Sequence, residues 1–310
     1  MSPGTRLTVS RRSLIVQTPE ALKRKIQSAQ DLLGVVKTMK ALAAVSIRQY
    51  QRSVEALADY NRTVEMGLQI ILKDRQGASA PSGQRSAKLG AIVFGTDQGL
   101  CGQFNNIVTQ HALEEIDRTE FRKEDRFFIV IGIKASDILV DMGQNVFEIL
   151  STPGSTAGIT AMVQDITMVL EDWRFKHSVD NMYLVYNEYV SGATYRPRAL
   201  KLLPIDKVWL DDLKKQKWDS RTLPLYTMSW DRIFRSMIRE YLFVSVYRAF
   251  ANSLASENAS RLAAMQNAEK NIEERLEELD VQFHRQRQMT ITEELLDIVA
   301  GFEVLKASKA

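Results

Sequence analysis

The chain has a single cysteine, Cys101, among its 310 residues. That excludes an internal disulfide and a cysteine-built zinc site, and it fits a reducing compartment. The three histidines, His111, His177 and His284, are scattered, so they read as surface or packing side chains rather than ligands or bases. No Gly-x-x-x-x-Gly-Lys-Ser/Thr segment occurs, so there is no P-loop. No run approaches 18 apolar residues, so no membrane-spanning helix is predicted. The net charge of +3 is too small for a general nucleic-acid binder. The most informative absence is local. Residues 225–300 contain neither glycine nor proline, the two residues that most reliably end helices.

What that stretch contains instead is helix-forming text. A continuous helix of that length would be roughly 110 Å long, which no compact domain buries along its whole course. A second long helix is predicted at the other end. Leu22, Ile26, Ala29, Leu33, Val36, Lys40, Ala43, Ile47, Tyr50, Val54, Leu57, Asn61, Val64, Leu68 and Ile71 step alternately by four and three residues. That alternation is a coiled-coil seam. Thr18 is placed to cap this helix, with Pro19 at its first position. The first helix is basic (Lys23, Arg24, Lys25, Lys37, Lys40, Arg48, Arg52). Part of the last is acidic (Glu269, Glu273, Glu274, Glu277, Glu278, Asp280). The two faces either pair across an antiparallel coiled coil or stand separately in solvent.

Between the helices the period changes. Leu89 to Phe94, Phe127 to Ile133, Val146 to Leu150, Met182 to Val190 and Ala199 to Leu203 read as strands. Asn105 to Arg118, Lys134 to Met142 and Ile159 to Phe175 read as helices, the last capped near Thr156 or Gly158. Such alternation predicts an α/β domain with a largely parallel, Rossmann-like sheet. The organisation expected is a disordered extension over 1–18, an N-terminal coiled-coil helix over 19–75, and an α/β domain over 87–206. A polar connector over 207–224 and a C-terminal coiled-coil helix over 225–305 follow. Residues 77–83 have linker composition. The basic, acid-free start also loosely resembles an organellar transit segment. Two helices flanking one globular part suggest a shaft with a head, which points away from a pocket enzyme.

The chemistry of a pocket enzyme is correspondingly hard to find. Gly95, Gly99 and Gly102 sit where a dinucleotide fingerprint would, after a strand and before a helix, but without Gly-x-Gly. A turn that packs the helix onto the sheet is the better account. Cys101 lies near a helix start, where a thiolate is stabilised. Without a histidine nearby in sequence it reads as a buried structural cysteine. No catalytic residue, metal site, cofactor site or direct nucleotide site is predicted.

Three stretches together resemble the gamma subunits of F-type rotary ATP synthases. The first is Leu22–Lys23–Arg24–Lys25–Ile26 running on to Val36–Lys37–Thr38–Met39–Lys40–Ala41–Leu42–Ala43–Ala44. The second is Thr96–Asp97–Gln98–Gly99–Leu100–Cys101–Gly102–Gln103–Phe104–Asn105. The third and most specific runs from Leu254–Ala255–Ser256–Glu257–Asn258–Ala259–Ser260–Arg261–Leu262 to Arg287–Gln288–Met289–Thr290–Ile291–Thr292–Glu293–Glu294–Leu295 and Ile298–Val299. The resemblance covers residues 20–303.

The resemblance implies a non-catalytic central-stalk rotor. Its terminal helices would enter a ring of three alpha and three beta subunits, with its α/β domain beside the epsilon subunit and above the membrane ring of c subunits. Rotation would couple ion flow to ATP synthesis or hydrolysis on beta. It also implies partner-binding roles for Met39, Lys40, Arg287, Gln288, Thr292, Leu295, Ile298 and Val299. Leu296, Phe302, Val304 and Leu305 extend the apolar tip. The expected location is peripheral, on the cytoplasmic face of a bacterial inner membrane, with the mitochondrial inner membrane as the alternative.

The chain departs from the family in three places. Leu223–Pro224–Leu225–Tyr226–Thr227–Met228–Ser229–Trp230 lacks the acid usual before the last helix. Val45–Ser46–Ile47 replaces an Ala-Ala-Lys run, and Gln98 and Gln103 stand where Arg and Gly are usual. These changes point to a divergent branch of rotary ATPase, with the coupling ion, H+ or Na+, set by the membrane ring. Two other classes stand beside the rotor: a coiled-coil adaptor with a ligand- or protein-binding head, and an α/β enzyme with a helical arm.

Overall fold

The computed structural model describes residues 18–74, 88–218, 222 and 224–307, without the side chains of 303–307. The expected extension before Thr18, the linker over 77–83, Leu223 and the side chains of Val304 and Leu305 lie outside the described residues. The chain divides into two compact units, one of Met39–Gln266 and one of Met1–Thr38 with Asn267–Ala310. Two long helices contribute to both: α1 (Pro19–Asp74) and, last in the chain, α6 (Trp230–Ala307). Thr18 caps α1 as expected, its Oγ accepting from the Ala21 amide at 3.3 Å. Every seam position of α1 is buried or half-buried.

Within the larger unit, strands β1 (Lys88–Phe94), β2 (Arg126–Ile131), β3 (Val146–Leu150), β4 (Val179–Ser191) and β5 (Thr194–Leu203) form one sheet. Its order is β3-β2-β1-β4-β5. The first three pairings are parallel. The sheet is therefore largely parallel, as expected, with β5 the exception that runs antiparallel to β4. The reason is the short turn at Gly192, whose positive φ of 56° closes a hairpin and leaves no length for a crossover.

The sheet is covered on both faces. Leu89, Ala91 and Val93 of β1 face a cluster with Val108, Ala112 and Ile116 of α2 (Phe104–Asp117) and Ala135 and Leu139 of α3 (Ile133–Asp141). Ile92 and Phe94 face the opposite cluster. There Ile159, Val163, Ile166, Leu170 and Trp173 of α4 (Thr156–His177) join Tyr50 of α1 and Val246, Phe250 and Leu254 of α6. The period-two alternation of β1 thus assigns one face to α2 and α3 and the other to α4 and the long helices. Ser155, rather than Thr156 or Gly158, precedes the first turn of α4, and its carbonyl accepts from the Gly158 amide at 3.1 Å.

The connector also differs from expectation. Residues Lys207–Lys215 form a helix, α5, capped by Asp206, whose carboxylate accepts from the Val208 amide at 2.9 Å. Leu210 and Leu213 are its buried residues, spaced to face one side, and Leu213 joins Val64, Leu68 and Val244 in a third cluster. The last helix begins at Trp230 and not at Leu225. Its first turn is set by the Ser229 carbonyl, which accepts from Arg232 and Ile233 at 3.1 Å. Upstream, in a segment that is not helical, Tyr226 donates its hydroxyl to Asp74. Here α1 and α6 run antiparallel: Tyr60 bonds Glu240 at 2.7 Å, and the Trp230 indole donates to the Ile71 carbonyl at 2.9 Å.

The smaller unit is simpler. Along α6, Ile272, Leu276, Leu279, Phe283, Gln286 and Thr290 are buried or half-buried, again stepping by four and three, and the residues between them are exposed. Lys37 reaches Glu273 at 3.3 Å and Glu269 at 3.9 Å, so basic and acidic helices do meet here. These groups are half-exposed in part, so the pairs set register more than stability. From 291 to 302 every residue of α6 is exposed.

One glycine fixes how the head closes. Gly132 has φ 93°, and a Cβ there would lie 2.5 Å from the Thr96 backbone. Gly132→Ala is therefore expected to destabilise the full chain by about 2 kcal/mol or more. Urea unfolding followed by circular dichroism measures it. An unchanged midpoint would contradict the packing described.

Candidate functional site

The second and third stretches singled out in the sequence meet within the larger unit. The loop from Gly95 to Gln103 is held first by its own side chains. Asn105 accepts from the Thr96 amide at 3.0 Å and donates to the Thr96 hydroxyl at 2.9 Å. Asp97 accepts from the Ile133 amide at 3.1 Å and from the amide and hydroxyl of Thr152 at 2.7 and 2.8 Å. The carboxylate thereby ties the loop to the turns after β2 and β3. Leu100 and Gly102 both take positive φ, 61° and 56°, which brings the Cys101 carbonyl round to face α6.

Helix α6 meets this loop with a row of serines. Ser253, Ser256 and Ser260 lie at i, i+3 and i+7, on one helix face. Ser253 donates to the Phe94 carbonyl at 3.4 Å, Ser256 to the Asn187 carbonyl at 2.9 Å, and Ser260 to the Cys101 carbonyl at 2.6 Å. Asn187 in turn donates to the Phe104 carbonyl at 3.2 Å, and the Tyr195 hydroxyl lies 3.2 Å from Ser260. Ala249, Ala251, Ala255 and Ala259 are buried beside the serines, so the helix backbone comes close to the sheet ends. Sequence reasoning quoted this stretch but missed the role of the serines. The signal was there: serines at i, i+3 and i+7 with alanines at 249, 251, 255 and 259 around them.

The position of this contact explains the missing chemistry. In open α/β sheets, ligands bind outside the carboxyl ends of strands where the strand order reverses. Here that point lies between β1 and β4, and α6 fills it, with Ser253 on the last residue of β1 and Ser256 on β4. The glycine loop therefore packs against a helix, its Cys101 and Gly99 carbonyls facing Ser260 and Arg261.

A buried ion pair completes the contact. Arg261 and Glu257 lie 2.8 Å apart with side chains only 10% exposed. Arg261 also reaches the Gly99 carbonyl at 3.5 Å. Burial pushes the Glu257 carboxyl above the ordinary carboxylate range, and Asp97 adds repulsion, while Arg261 opposes both. Burial likewise raises the Cys101 thiol. Its sulfur lies 3.7 Å from both Thr96 and Asn105, so it is a packed thiol and not an activated nucleophile.

The residues expected to bind partners fall elsewhere. Met39 and Lys40 are half-buried on α1 in the larger unit, with Lys40 on the seam. Arg287, Gln288, Thr292, Leu295, Ile298 and Val299 are exposed on α6 in the smaller unit. Gln288, Thr292, Leu295 and Val299 share one helix face, flanked by Arg287 and Ile298. The Thr292 hydroxyl donates to the Gln288 carbonyl at 2.9 Å. Leu295, Ile298 and Phe302 are 58%, 68% and 71% exposed. The described residues of the 223–230 stretch place Leu225 and Met228 in solvent and Tyr226 and Trp230 on the end of α1.

Comparison with known proteins gives a consistent result. Residues 18–305 match the model of the ATP synthase family. The ATP synthase gamma chain of Glaesserella parasuis serovar 5 (strain SH0165) is 30% identical over 283 residues, spanning 90% of this chain and 96% of the relative. That of Pasteurella multocida (strain Pm70) is 28% identical over 284 residues, with the same shares. Among solved structures, the fold is similar to a chain of the Euglena gracilis mitochondrial ATP synthase rotor in rotational state 1. The TM-score is 0.63 at 17% identity, covering 88% of this chain and 98% of that one. A chain of the OSCP/F1/c-ring structure from the same organism gives 0.65 at 19% identity, covering 94% and 96%.

The Glu257 environment has a pH signature. A carboxyl whose folded pKa is raised stabilises the fold below its ordinary pKa, and that contribution fades as pH climbs to the elevated value. Thermal stability is therefore expected to fall across that interval, and Glu257→Gln is expected to flatten the slope. Parallel pH profiles for the two proteins would contradict the assignment.

Proposed function

This chain belongs to the ATP synthase family, among its gamma chains, and on that premise we propose that it is the non-catalytic rotor of an F-type ATP synthase. The paired long helices act as the central stalk inside the ring of alpha and beta subunits. The α/β head stands beside the epsilon subunit and the c ring. Rotation of the chain couples ion movement to ATP synthesis or hydrolysis on beta. The chain is peripheral to the membrane, and its bacterial relatives support the cytoplasmic face of an inner membrane.

The observation that carries this reading is the bare end of α6. Over 291–302 the helix exposes Ile291, Leu295, Leu296, Ile298, Val299 and Phe302 with no described residue covering them. Each such side chain gains about 1.5–3 kcal/mol when fully buried. A contiguous apolar surface of this kind calls for an enclosing partner. The ring of alpha and beta subunits is that partner, with the apolar residues bearing against it and Arg287, Gln288 and Thr292 offering hydrogen bonds to its loops. Arginine is suited to a carboxylate there, since its planar fork donates two parallel bonds. Met39 and Lys40 contribute to the same interaction from α1. The serine contact between α6 and the head gives torque a route between helix and α/β domain.

Two experiments test the reading. Truncation after Thr290 is expected to weaken assembly with alpha and beta and to lower coupled turnover several-fold. Full assembly and unaltered turnover would remove the bearing role. Arg287→Ala with Gln288→Ala is expected to lower ATP turnover of the complex by about tenfold, the effect of losing a charge-assisted hydrogen bond. The helicity of the isolated chain should not change. Undiminished turnover would show that these side chains face solvent in the assembly.

A further inference from the structure

One polar contact on α6 is not needed to hold the helix. The serine row already fixes α6 to the head, yet Glu257 and Arg261 are buried beside it as an ion pair at 2.8 Å. Apolar residues of similar volume often fill such a space with equal or greater stability. The pair is also incompletely satisfied. Arg261 Nε is buried with no hydrogen-bond partner among the described residues. The nitrogen that meets Glu257, Nη2, is the same one that reaches the Gly99 carbonyl at 3.5 Å. One amino group thus serves two acceptors, a carboxylate on its own helix and a backbone oxygen of the glycine loop, and it sits nearer the first.

Which acceptor holds Arg261 depends on the charge of Glu257. An ionised carboxylate takes a bond stronger than a neutral acceptor does. A protonated carboxyl leaves the Gly99 carbonyl as an equal competitor. The charged and titratable groups that face Glu257 are Arg261 on its own helix, Asp97 and Cys101 on the loop, and Tyr50 on α1. Burial, the largest influence, opposes the charge of Glu257; Arg261 favours it and Asp97 repels it. The loop has room to answer. Gly99 is exposed, and a Cβ there would meet nothing within 4 Å. Leu100 beside it holds a φ of 61°, a conformation that L side chains rarely adopt.

We propose that Glu257 and Arg261 form a proton-operated latch on the glycine loop. With Glu257 protonated, Arg261 clasps the Gly99 carbonyl and Cys101 stays enclosed. With Glu257 ionised, Arg261 turns to the carboxylate, the Gly99 carbonyl goes to solvent, and the loop over Cys101 opens more often. The sign follows from linkage. A carboxyl that burial holds protonated stabilises the closed form below its elevated pKa, and that contribution fades as pH rises through it. The latch is a property of this chain alone. On the rotor reading, it lets the pH around the head set how firmly the loop is clasped to the shaft.

Cys101, the single cysteine of the chain and 2% exposed, reports the opening. The full chain is labelled with a small methanethiosulfonate from about pH 5 to about pH 9, and each rate is divided by that of a free thiol at the same pH. The ratio is expected to climb about tenfold, the effect of losing one hydrogen bond. Direct repulsion of the Cys101 thiolate by an ionised Glu257 works the other way, so a climb isolates the opening. Glu257→Gln is expected to stay flat and slow. Arg261→Lys, whose ammonium lacks the planar fork, is expected to label fast already at low pH. A flat ratio in the unaltered chain, an equal climb in Glu257→Gln, or slow labelling of Arg261→Lys at low pH overturns the latch. Amide exchange of β2 is the control. Protection lost there in step with the labelling shows global unfolding and overturns the latch as well. The unaltered chain decides by itself if a variant fails to fold.

Discussion

The structure depends on one contact, the burial of α6 around nearly its whole girth between Ala249 and Arg261. A helix normally buries one stripe. Here one side takes the apolar cluster of Phe250 and Leu254, and another takes the head's backbone carbonyls through Ser253, Ser256 and Ser260. Hydroxyl-to-carbonyl bonds at this range demand small residues, because any larger side chain would hold the backbones apart. Buried carbonyls left without those donors would each cost roughly 1–3 kcal/mol. The contact is therefore short, dry and intolerant of sliding, which suits an element that has to turn with its helix.

The same contact explains why the head carries a nucleotide-type sheet without nucleotide chemistry. Strand order β3-β2-β1-β4-β5 creates a switch point, and the glycine loop follows β1 as it would in a dinucleotide enzyme. The place for a pyrophosphate is taken by the serine face of α6. Asp97 and Asn105, which a fingerprint would not use, are spent on holding the loop in shape.

Much of this was legible in the sequence, for identifiable reasons. The α1 seam from Leu22 to Ile71 showed because a coiled coil repeats its demand every turn. The strands showed because β1, β2 and the core of β4 are buried on both faces and so read as apolar runs. Helix α5 did not show, because nine residues with only Leu210 and Leu213 buried leave too short a period to detect. The antiparallel β5 was hidden because its direction depends on a turn at Gly192, not on its own residues. The start of α6 was misplaced by five residues, since Leu225 to Ser229 hold no glycine or proline, while bonds from Tyr226 and Trp230 to α1 tie this segment to the end of that helix. The serine row was visible as text but not as chemistry, because its acceptors are backbone carbonyls, which no sequence pattern marks.

Along α6 three environments follow one another: an arginine-bearing start, a fully enclosed middle, and an apolar end that no described residue covers. Each implies a different neighbour, and the last is the most demanding. The most direct measurement is native mass spectrometry of the tagged chain purified from its own cells. The account predicts one copy of this chain with three alpha and three beta subunits. A homo-oligomer, or a complex without an ATPase ring, would contradict it.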